Sequence, residues 1–257
     1  ASLNFLKYVS PFLIVISKIF KKRYVLRKFG GSMDITYKSA SFLDENLYNF
    51  TFKNSDLIFA ETLLVKQFLE NQFTTRVEWF PNCRVKQDYQ KKEFQKGFIF
   101  LSQVKKEKGV LEIIEVNKVS DIKIDIYGPI YDDSINLDAY YKGIVNPSEV
   151  VNKLKEYDVL VLPTYWYGEG YPGIILEAFS LGMPVISTNY RAIPEIIDDK
   201  KSGILISPKN TEELINAVNS FKLENYQSYS NNAFDKFQLF YDTKQVHKHI
   251  LNILKNI

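Results

Sequence analysis

The chain has 257 residues, of which 46% are hydrophobic and 25% are charged, enough apolar side chains for one or two domain cores and too many for a disordered low-complexity chain. Its 33 basic and 30 acidic residues leave a net charge of +3, which is too small for a general nucleic-acid-binding protein. The single cysteine, Cys83, excludes an intramolecular disulfide and a cysteine-rich zinc site, and it favours a location in the reducing cytoplasm.

The N-terminal segment combines basic and apolar residues. Residues 1–33 contain no acidic residue and seven basic ones: Lys7, Lys18, Lys21, Lys22, Arg23, Arg27 and Lys28. Ser10-Pro11 predicts a helix with Ser10 as its N-cap that ends near Lys22. Two interpretations are equally favoured for this helix. It lies on the anionic inner face of a membrane through residues 1–28, or it packs in the core with a solvated basic edge.

Short apolar runs alternate with amphipathic segments along the rest of the chain, which predicts βαβ units with parallel sheets and hence the α/β class. The predicted strands are 24–29, 56–60, 77–80, 98–101, 124–127, 143–145, 159–162, 185–187 and 204–206. The predicted helices after the first are 40–53, 63–73, 109–119, 148–156, 173–181, 211–221 and 231–255.

A polar, charged stretch at 84–96 is interpreted as a linker. We expect residues 1–96 to form an N-terminal Rossmann-like domain with this linker, and residues 97–230 to form a C-terminal Rossmann-like domain. Residues 231–257 are expected to form a helix that packs back on the first domain. Only three predicted strands precede the linker, so we expect the N-terminal domain to be truncated, with its first strands upstream of Ala1.

A glycine motif, Gly168-x-Gly170-x-x-Gly173, lies between a predicted strand and a predicted helix and matches the dinucleotide-binding fingerprint. An NAD site is not favoured, because residues 164–167 lengthen the turn and the next strand ends in Ser-Thr-Asn without the required carboxylate. The glycines still allow backbone N–H groups to approach an anion at the positive end of the following helix.

Two carboxylates belong to the same stretch. Glu169 lies in the glycine loop, and Glu177 follows eight positions later in the predicted helix. Carboxylates accept hydrogen bonds from sugar hydroxyls, and hydrogen bonds to a charged group contribute about 1.5–3 kcal/mol each. An anion-binding loop beside two such carboxylates suits a nucleotide sugar, in which a diphosphate joins a ribose to a second sugar.

The spacing of Glu169 and Glu177, between Glu-Gly-Tyr-Pro-Gly and Leu-Gly-Met-Pro-Val, resembles the signature of retaining GT-B glycosyltransferases of the glycogen-synthase-like group, also called glycosyl transferases group 1. Residues 98–109, 56–82 and 194–205 resemble further segments of that family, so the likeness covers roughly residues 24–255. The resemblance implies a GT-B fold with two parallel Rossmann-like sheets. It also implies retaining transfer of a sugar from a UDP-, GDP- or dTDP-linked donor to a glycan or lipid-linked acceptor in surface polysaccharide biosynthesis. No cofactor is implied, and the lack of an Asp-x-Asp motif does not support a metal-bound diphosphate.

The resemblance also implies roles for individual residues. Glu169 would contact the transferred sugar and Lys108 would neutralise the diphosphate, so these two would be catalytic. Glu177 would bind the ribose hydroxyls. The other donor-binding residues would be Gly170, Tyr171, Pro172, Gly173, Ser102, Gln103, Gly143 and Val145, with the backbone at 143–145 facing the base.

Two departures from the family pattern bear on activity. Gln103 stands where the family's phosphate loop usually has an arginine, and Lys105 or Lys106 are the candidates to replace it. The first domain often has a histidine where the strand 24–29 ends, and Arg27, Gly30 and Gly31 are the acceptor-side candidates there.

These departures leave other hypotheses open. In one hypothesis, the chain is a nucleotide-sugar-binding or membrane-scaffold relative without turnover. In another, it is a sugar-nucleotide epimerase on the same fold.

The only histidines, His247 and His249, are two positions apart on a predicted helix and point about 200° apart, so they are not expected to share a metal.

Overall fold

The computed structural model describes residues 1–88, 93–137 and 140–257. Lys91 and Lys92 of the predicted linker lie outside the described residues. The chain divides into two compact units: the first contains residues 1–82, 167–171 and 246–257, and the second contains residues 83–166 and 172–245. The domain division expected from the sequence, at 96/97 and 230/231, stays a prediction.

The described ranges contain nine strands and eleven α-helices. The strands are β1 Val25–Lys28, β2 Leu57–Ala60, β3 Val77–Trp79, β4 Phe98–Leu101, β5 Ile124–Tyr127, β6 Tyr141–Gly143, β7 Val159–Leu162, β8 Val185–Thr188 and β9 Gly203–Ile206. The helices are α1 Ser10–Ile19, α2 Met33–Lys38, α3 Phe42–Asn54, α4 Leu63–Gln72, α5 Val110–Val119, α6 Val150–Leu154, α7 Gly173–Ser180, α8 Ile193–Ile196, α9 Thr211–Ser220, α10 Leu223–Phe240 and α11 Thr243–Lys255.

The first unit is built on a parallel sheet with the strand order β1-β2-β3. All four residues of the central strand β2 are buried, as expected for a strand covered on both faces. The strands and helices share one core that includes Leu26, Tyr48, Phe52, Ile58, Leu69 and Val77. Burying each of these side chains contributes about 1.5–3 kcal/mol. Because the strands are parallel, residues that follow β1, β2 and β3 meet at one edge of the sheet.

The predicted start of the first helix is wrong. A π-helical turn, Phe5–Val9, leads directly into α1, and Ser10 is buried within the helical segment, where its hydroxyl accepts a hydrogen bond from Tyr24 at 2.8 Å. The α-helix ends at Ile19 and not near Lys22.

Helix α1 has apolar residues on both of its sides. Ile14 is fully buried, whereas Phe12, Val15 and Ile19 are 66%, 48% and 69% exposed. These three residues are spaced i, i+3 and i+7, so they form one stripe, which we call the outer face of α1. Four exposed basic residues lie at and beyond the end of the helix: Lys18, Lys21, Lys22 and Arg23.

The second unit contains a parallel six-stranded sheet with the order β6-β5-β4-β7-β8-β9. The chain runs from β4 outward to β5 and β6, then returns to the other side of β4 with β7. The direction of winding therefore reverses between β4 and β7. In open α/β sheets, ligands bind in the crevice beyond the carboxyl ends of the strands at such a reversal.

The single helix predicted at 231–255 is in fact two helices, α10 and α11, separated at Tyr241–Asp242. The Oδ1 of Asp242 accepts the Lys244 N–H at 3.2 Å, so a short acidic side chain begins the second helix. The break also holds Arg84, whose N–H donates to the Tyr241 carbonyl and whose carbonyl accepts the Thr243 N–H. Within the described ranges, no helix has both the length and the hydropathy that crossing a bilayer requires.

Candidate active site

In the second unit, Lys108 lies on a turn that is hydrogen-bonded to the residues following β7. The turn is a short 3₁₀ helix, Lys106–Lys108, and the carbonyl of Glu107 accepts the Tyr165 N–H at 2.8 Å and the Thr164 hydroxyl at 3.2 Å. Gly109 follows with a φ of +80°, and a Cβ there would lie 2.3 Å from the Pro163 carbonyl oxygen. Only glycine fits this close approach, so the sequence Lys-Gly holds Lys108 at the β4–β7 reversal.

The predicted cationic residues near this turn differ in their surroundings. Lys108 is 7% exposed, and its Nζ lies 5.0 Å from the centre of the Trp166 ring, while the Nζ of Lys105 lies 4.7 Å from the same centre. Lys106 instead pairs with Asp132 at 3.4 Å. Of the two lysines expected to replace the missing arginine, Lys105 therefore shares a ring with Lys108.

Four further predicted residues follow or end strands β4 and β6, at the carboxyl end of this sheet. Ser102 follows β4 with its N–H donating to the Tyr127 carbonyl at 3.2 Å, and Gln103 beside it is exposed. Gly143 ends the edge strand β6 with a φ of +101° and open space where a Cβ would be, and Val145 is half-buried. The structure thus brings Ser102, Gln103, Gly143 and Val145 to one edge of the sheet.

The first turn of α7 packs against a cation, Arg84, for which no site role was predicted. Pro172 precedes the helix and Gly173 begins it. The Nε of Arg84 donates to the Oε1 of Glu177 at 2.8 Å, and its Nη1 donates to the Cys83 carbonyl. A Cβ on Gly173 would lie 1.9 Å from the Nη2 of Arg84, so the guanidinium packs directly on the helix start. Arg84 had been interpreted as linker charge.

In the first unit, a buried carboxylate that was also missed joins two glycine-rich segments. Glu61 directly follows β2 and is 7% exposed. Its Oε2 accepts the Gly30 N–H and its Oε1 accepts the Tyr171 N–H, each at 2.9 Å. The backbone segment 167–171, which includes Glu169, belongs to this unit. An acid directly after a fully buried strand was the available sequence signal.

Glu169 itself is 4% exposed, so it is not a solvated loop acid. The Gly31 N–H donates to the Gly168 carbonyl at 3.4 Å, and a Cβ on Gly31 would lie 1.9 Å from the carbonyl oxygen of Glu169. The predicted acceptor-side glycines therefore contact the loop that was predicted to bind the donor.

Several backbone amides that were expected to bind ligands are hydrogen-bonded within the protein. The amide of Tyr171 is bonded to Glu61, and the amides of Gly30 and Gly31 are bonded to Glu61 and Gly168. Arg27 is also engaged, because its Nη2 donates to the Pro81 carbonyl and its guanidinium carbon lies 3.4 Å from the centre of the Phe80 ring. Each of these groups stabilises the unit itself.

A buried lysine accompanies Glu61. Lys28 is 5% exposed, and burial lowers the pKa of its ammonium from the usual 10.5, while the Glu61 carboxylate acts to raise it. The end of β1 thus supplies positive charge close to the acid at the end of β2. Among the described residues, no group of three or more His, Cys, Asp and Glu side chains is arranged to hold a metal ion.

A model of the family described as "Glycosyl transferases group 1" matches residues 84–236, which is more than half of the chain. The α/β class with two parallel Rossmann-like sheets is confirmed, and it matches the fold of GT-B glycosyltransferase structures.

The chain is similar to curated proteins whose names describe glycosyltransferases. The chain is 27% identical over 134 residues to the putative teichuronic acid biosynthesis glycosyltransferase TuaC of Bacillus subtilis, a match that covers 51% of this chain and 34% of that protein. It is 38% identical over 71 residues to the UDP-Gal:alpha-D-GlcNAc-diphosphoundecaprenol alpha-1,3-galactosyltransferase of Escherichia coli, covering 28% of this chain and 18% of that protein. The chain spans less than half the length of these curated relatives.

A similar solved structure is that of Alr3699/HepE of Anabaena in complex with UDP. It superposes with a TM-score of 0.80 at 14% identity and covers 100% of this chain and 77% of that chain. At this identity the likeness shows the fold alone.

Proposed function

The chain belongs to the glycosyl transferases group 1 family, and from that premise we propose that it transfers a sugar from a nucleotide-diphosphate donor to a glycan or lipid-linked acceptor. We propose retention of configuration and a place in surface polysaccharide biosynthesis. The observation that carries the proposal is the position of Lys108, which is buried against Trp166 at the β4–β7 reversal of the second unit.

The proposed donor orientation follows from charge. The diphosphate binds beside Lys108, whose ammonium offsets the negative charge that grows on the leaving group as the bond to the sugar breaks. The ribose hydroxyls bind the Glu177 carboxylate, which Arg84 orients, and the base lies along the backbone at 143–145. In this proposal Glu169 contacts the transferred sugar.

The proposed retaining step needs no protein nucleophile. The bond from the anomeric carbon to the diphosphate oxygen breaks, and the acceptor hydroxyl oxygen bonds to the same face of that carbon. The hydroxyl proton passes to the departing phosphate, so charge and atoms balance.

We further propose that the outer face of α1 binds an anionic membrane surface. Phe12, Val15 and Ile19 are exposed, and the basic residues at the end of the helix are exposed beside them. Apolar burial and attraction to anionic headgroups act together in such helices, at about 1 kcal/mol per basic residue near the surface. A lipid-linked acceptor would be reached from this location.

A thermal-shift panel with UDP, GDP, dTDP and ADP tests the donor proposal. At 100 times its dissociation constant, the correct nucleotide adds about 2.7 kcal/mol to the stability. UDP is the first candidate, because the similar Anabaena structure contains it. Glu177→Ala should lose the shift, whereas Glu115→Ala, an exposed acid on α5, should keep it.

The panel has a clear negative outcome. If none of the four nucleotides stabilises the unaltered chain, the donor proposal fails. Stabilisation without transfer or hydrolysis by the full-length protein would instead favour the relative without turnover. Conversion of the donor sugar in the absence of acceptor would favour an epimerase.

A further inference from the structure

Glu61 joins the glycine loop of the first unit to the segments that follow β1 and end β3. Its carboxylate accepts the N–H groups of Gly30 and Tyr171, its own N–H donates to the Lys28 carbonyl at 3.2 Å, and its carbonyl accepts the Trp79 Nε1–H at 3.1 Å. We infer that Glu61 is a positioning residue that fixes the backbone of 168–171 and so holds Glu169 in place. This inference rests on the proposed role of Glu169 in donor binding.

The two hydrogen bonds of the carboxylate select for an acid at this position. Each oxygen accepts one backbone N–H at 2.9 Å, so both oxygens are used as acceptors. An ionised carboxylate has only acceptors, whereas a glutamine presents an NH₂ group on one side. Glutamine at 61 would therefore set a donor against a donor at either Gly30 or Tyr171.

The loop fits around Glu61 because its neighbours are glycines. A Cβ on Gly170 would lie 2.8 Å from the Oε1 of Glu61 and 3.1 Å from the Cα of Gly30. The close approach of Gly31 to the Glu169 carbonyl lies on the same loop. The backbone of the loop is therefore confined between Glu61 and the turn at 30–31, with no room for side chains at these glycines.

An aromatic pair covers the same carboxylate network. The Trp79 Nε1 lies 3.2 Å from the Tyr171 hydroxyl oxygen, and the two rings meet edge to face with centres 6.4 Å apart. The Asn82 amide donates to the Tyr171 carbonyl at 3.2 Å. Trp79 and Asn82 therefore hold the ring and the carbonyl of Tyr171, while Glu61 accepts a hydrogen bond from the Tyr171 amide.

The network is buried and contains opposite charges. Glu61 and Lys28 are both less than 10% exposed, and their opposite charges interact across the ends of β2 and β1. Hydrogen bonds to a charged group are stronger where water is excluded. A displacement of about 1 Å at a group that touches substrate is enough to lower turnover roughly 100-fold.

Hydrogen–deuterium exchange of the full chain tests the inference without a ligand. In Glu61→Gln, either the peptide that spans 168–172 or the peptide that spans 29–31 should exchange about tenfold faster than in the unaltered chain, because the amide of Tyr171 or that of Gly30 loses its acceptor. Glu70→Gln, which alters an exposed acid on α4 that pairs with Lys66, should leave the exchange of both peptides unchanged. Equal exchange in Glu61→Gln and the unaltered chain would overturn the inference.

Kinetics separate positioning from direct binding. Glu61→Gln should lower kcat for donor turnover roughly 100-fold and change KM for the donor by less than about threefold. A raised KM with unchanged kcat would overturn the positioning role. Should the glutamine variant fail to fold, Glu61→Asp keeps the charge but is too short to reach both amides, and it should show the same faster exchange.

The inference and the proposed function fail differently. If the unaltered chain binds no nucleotide in the thermal-shift panel, the proposed function fails, and the exchange experiment still decides whether Glu61 holds the loop. If nucleotides bind but exchange responds to Glu61→Gln neither at 168–172 nor at 29–31, only the inference fails.

Discussion

Arg84 and Glu177 form an ion pair at 2.8 Å, between the Nε of the arginine and the Oε1 of the acid, about one turn into α7. The acid proposed to bind ribose is therefore already oriented by a cation. Arg84 is in turn fixed through its backbone to the break between α10 and α11. The orientation of Glu177 thus depends on a residue far away in the sequence.

Arg84→Ala should weaken nucleotide binding about tenfold, which corresponds to about 1.4 kcal/mol, because Glu177 loses the group that orients it. Isothermal titration calorimetry with the nucleotide selected by the panel measures the change. Lys86→Ala is the matched control, because Lys86 is exposed two positions away and its ammonium donates a hydrogen bond to Gln238. Unchanged affinity in Arg84→Ala would contradict the orienting role.

Gly173→Ala should also weaken nucleotide binding, because the added methyl would lie 1.9 Å from the Nη2 of Arg84 and displace the guanidinium. Alanine favours a helix over glycine by about 1 kcal/mol, so the thermal stability should not fall through helix propensity. The control is the double variant Arg84→Ala with Gly173→Ala. Calorimetry should find little further loss in that variant, whereas an additive loss would show that the methyl acts elsewhere.

Lys108→Gln should lower kcat for donor turnover by roughly 100- to 1,000-fold, because the developing charge on the leaving diphosphate loses its cation. Steady-state kinetics of nucleotide release measure this effect. Lys106→Gln changes the same charge on an exposed residue of the same turn and should keep near-normal kcat. Equal losses in both variants would indicate a general charge effect.

The chain should float with vesicles that contain anionic phospholipid and remain unbound to vesicles of phosphatidylcholine alone. Replacing Phe12 and Ile19 together with serine should reduce flotation, because both side chains are more than 60% exposed on the outer face of α1. Leu239→Ser is the matched control, an equally exposed apolar residue on α10. Binding that survives the double replacement would contradict membrane docking through this face.

The strands could be predicted from the sequence because β2, β4, β7 and β8 are short apolar runs buried at every position. The start of the first helix was mispredicted because a serine before a proline is a common N-cap pattern, and the π-helical turn ahead of it has no comparable signal. The break at 241–242 was missed because it contains neither glycine nor proline, which are the usual sequence signals of a helix end.

The candidate site was predictable in part. Lys108 and Glu177 lie beside motifs with recognisable spacing, so the sequence indicated them. Glu61 and Arg84 act through contacts with residues 110 and 93 positions away, and no local pattern reports such distances. Their roles depend on where the chain returns in space.

The chain has two tryptophans, and one belongs to each unit: Trp79 lies beside Tyr171 in the first, and Trp166 lies between two lysines in the second. Each unit therefore carries its own intrinsic fluorophore. Replacing one ring with phenylalanine leaves the emission of the other as a label-free optical reporter of its own half of the protein.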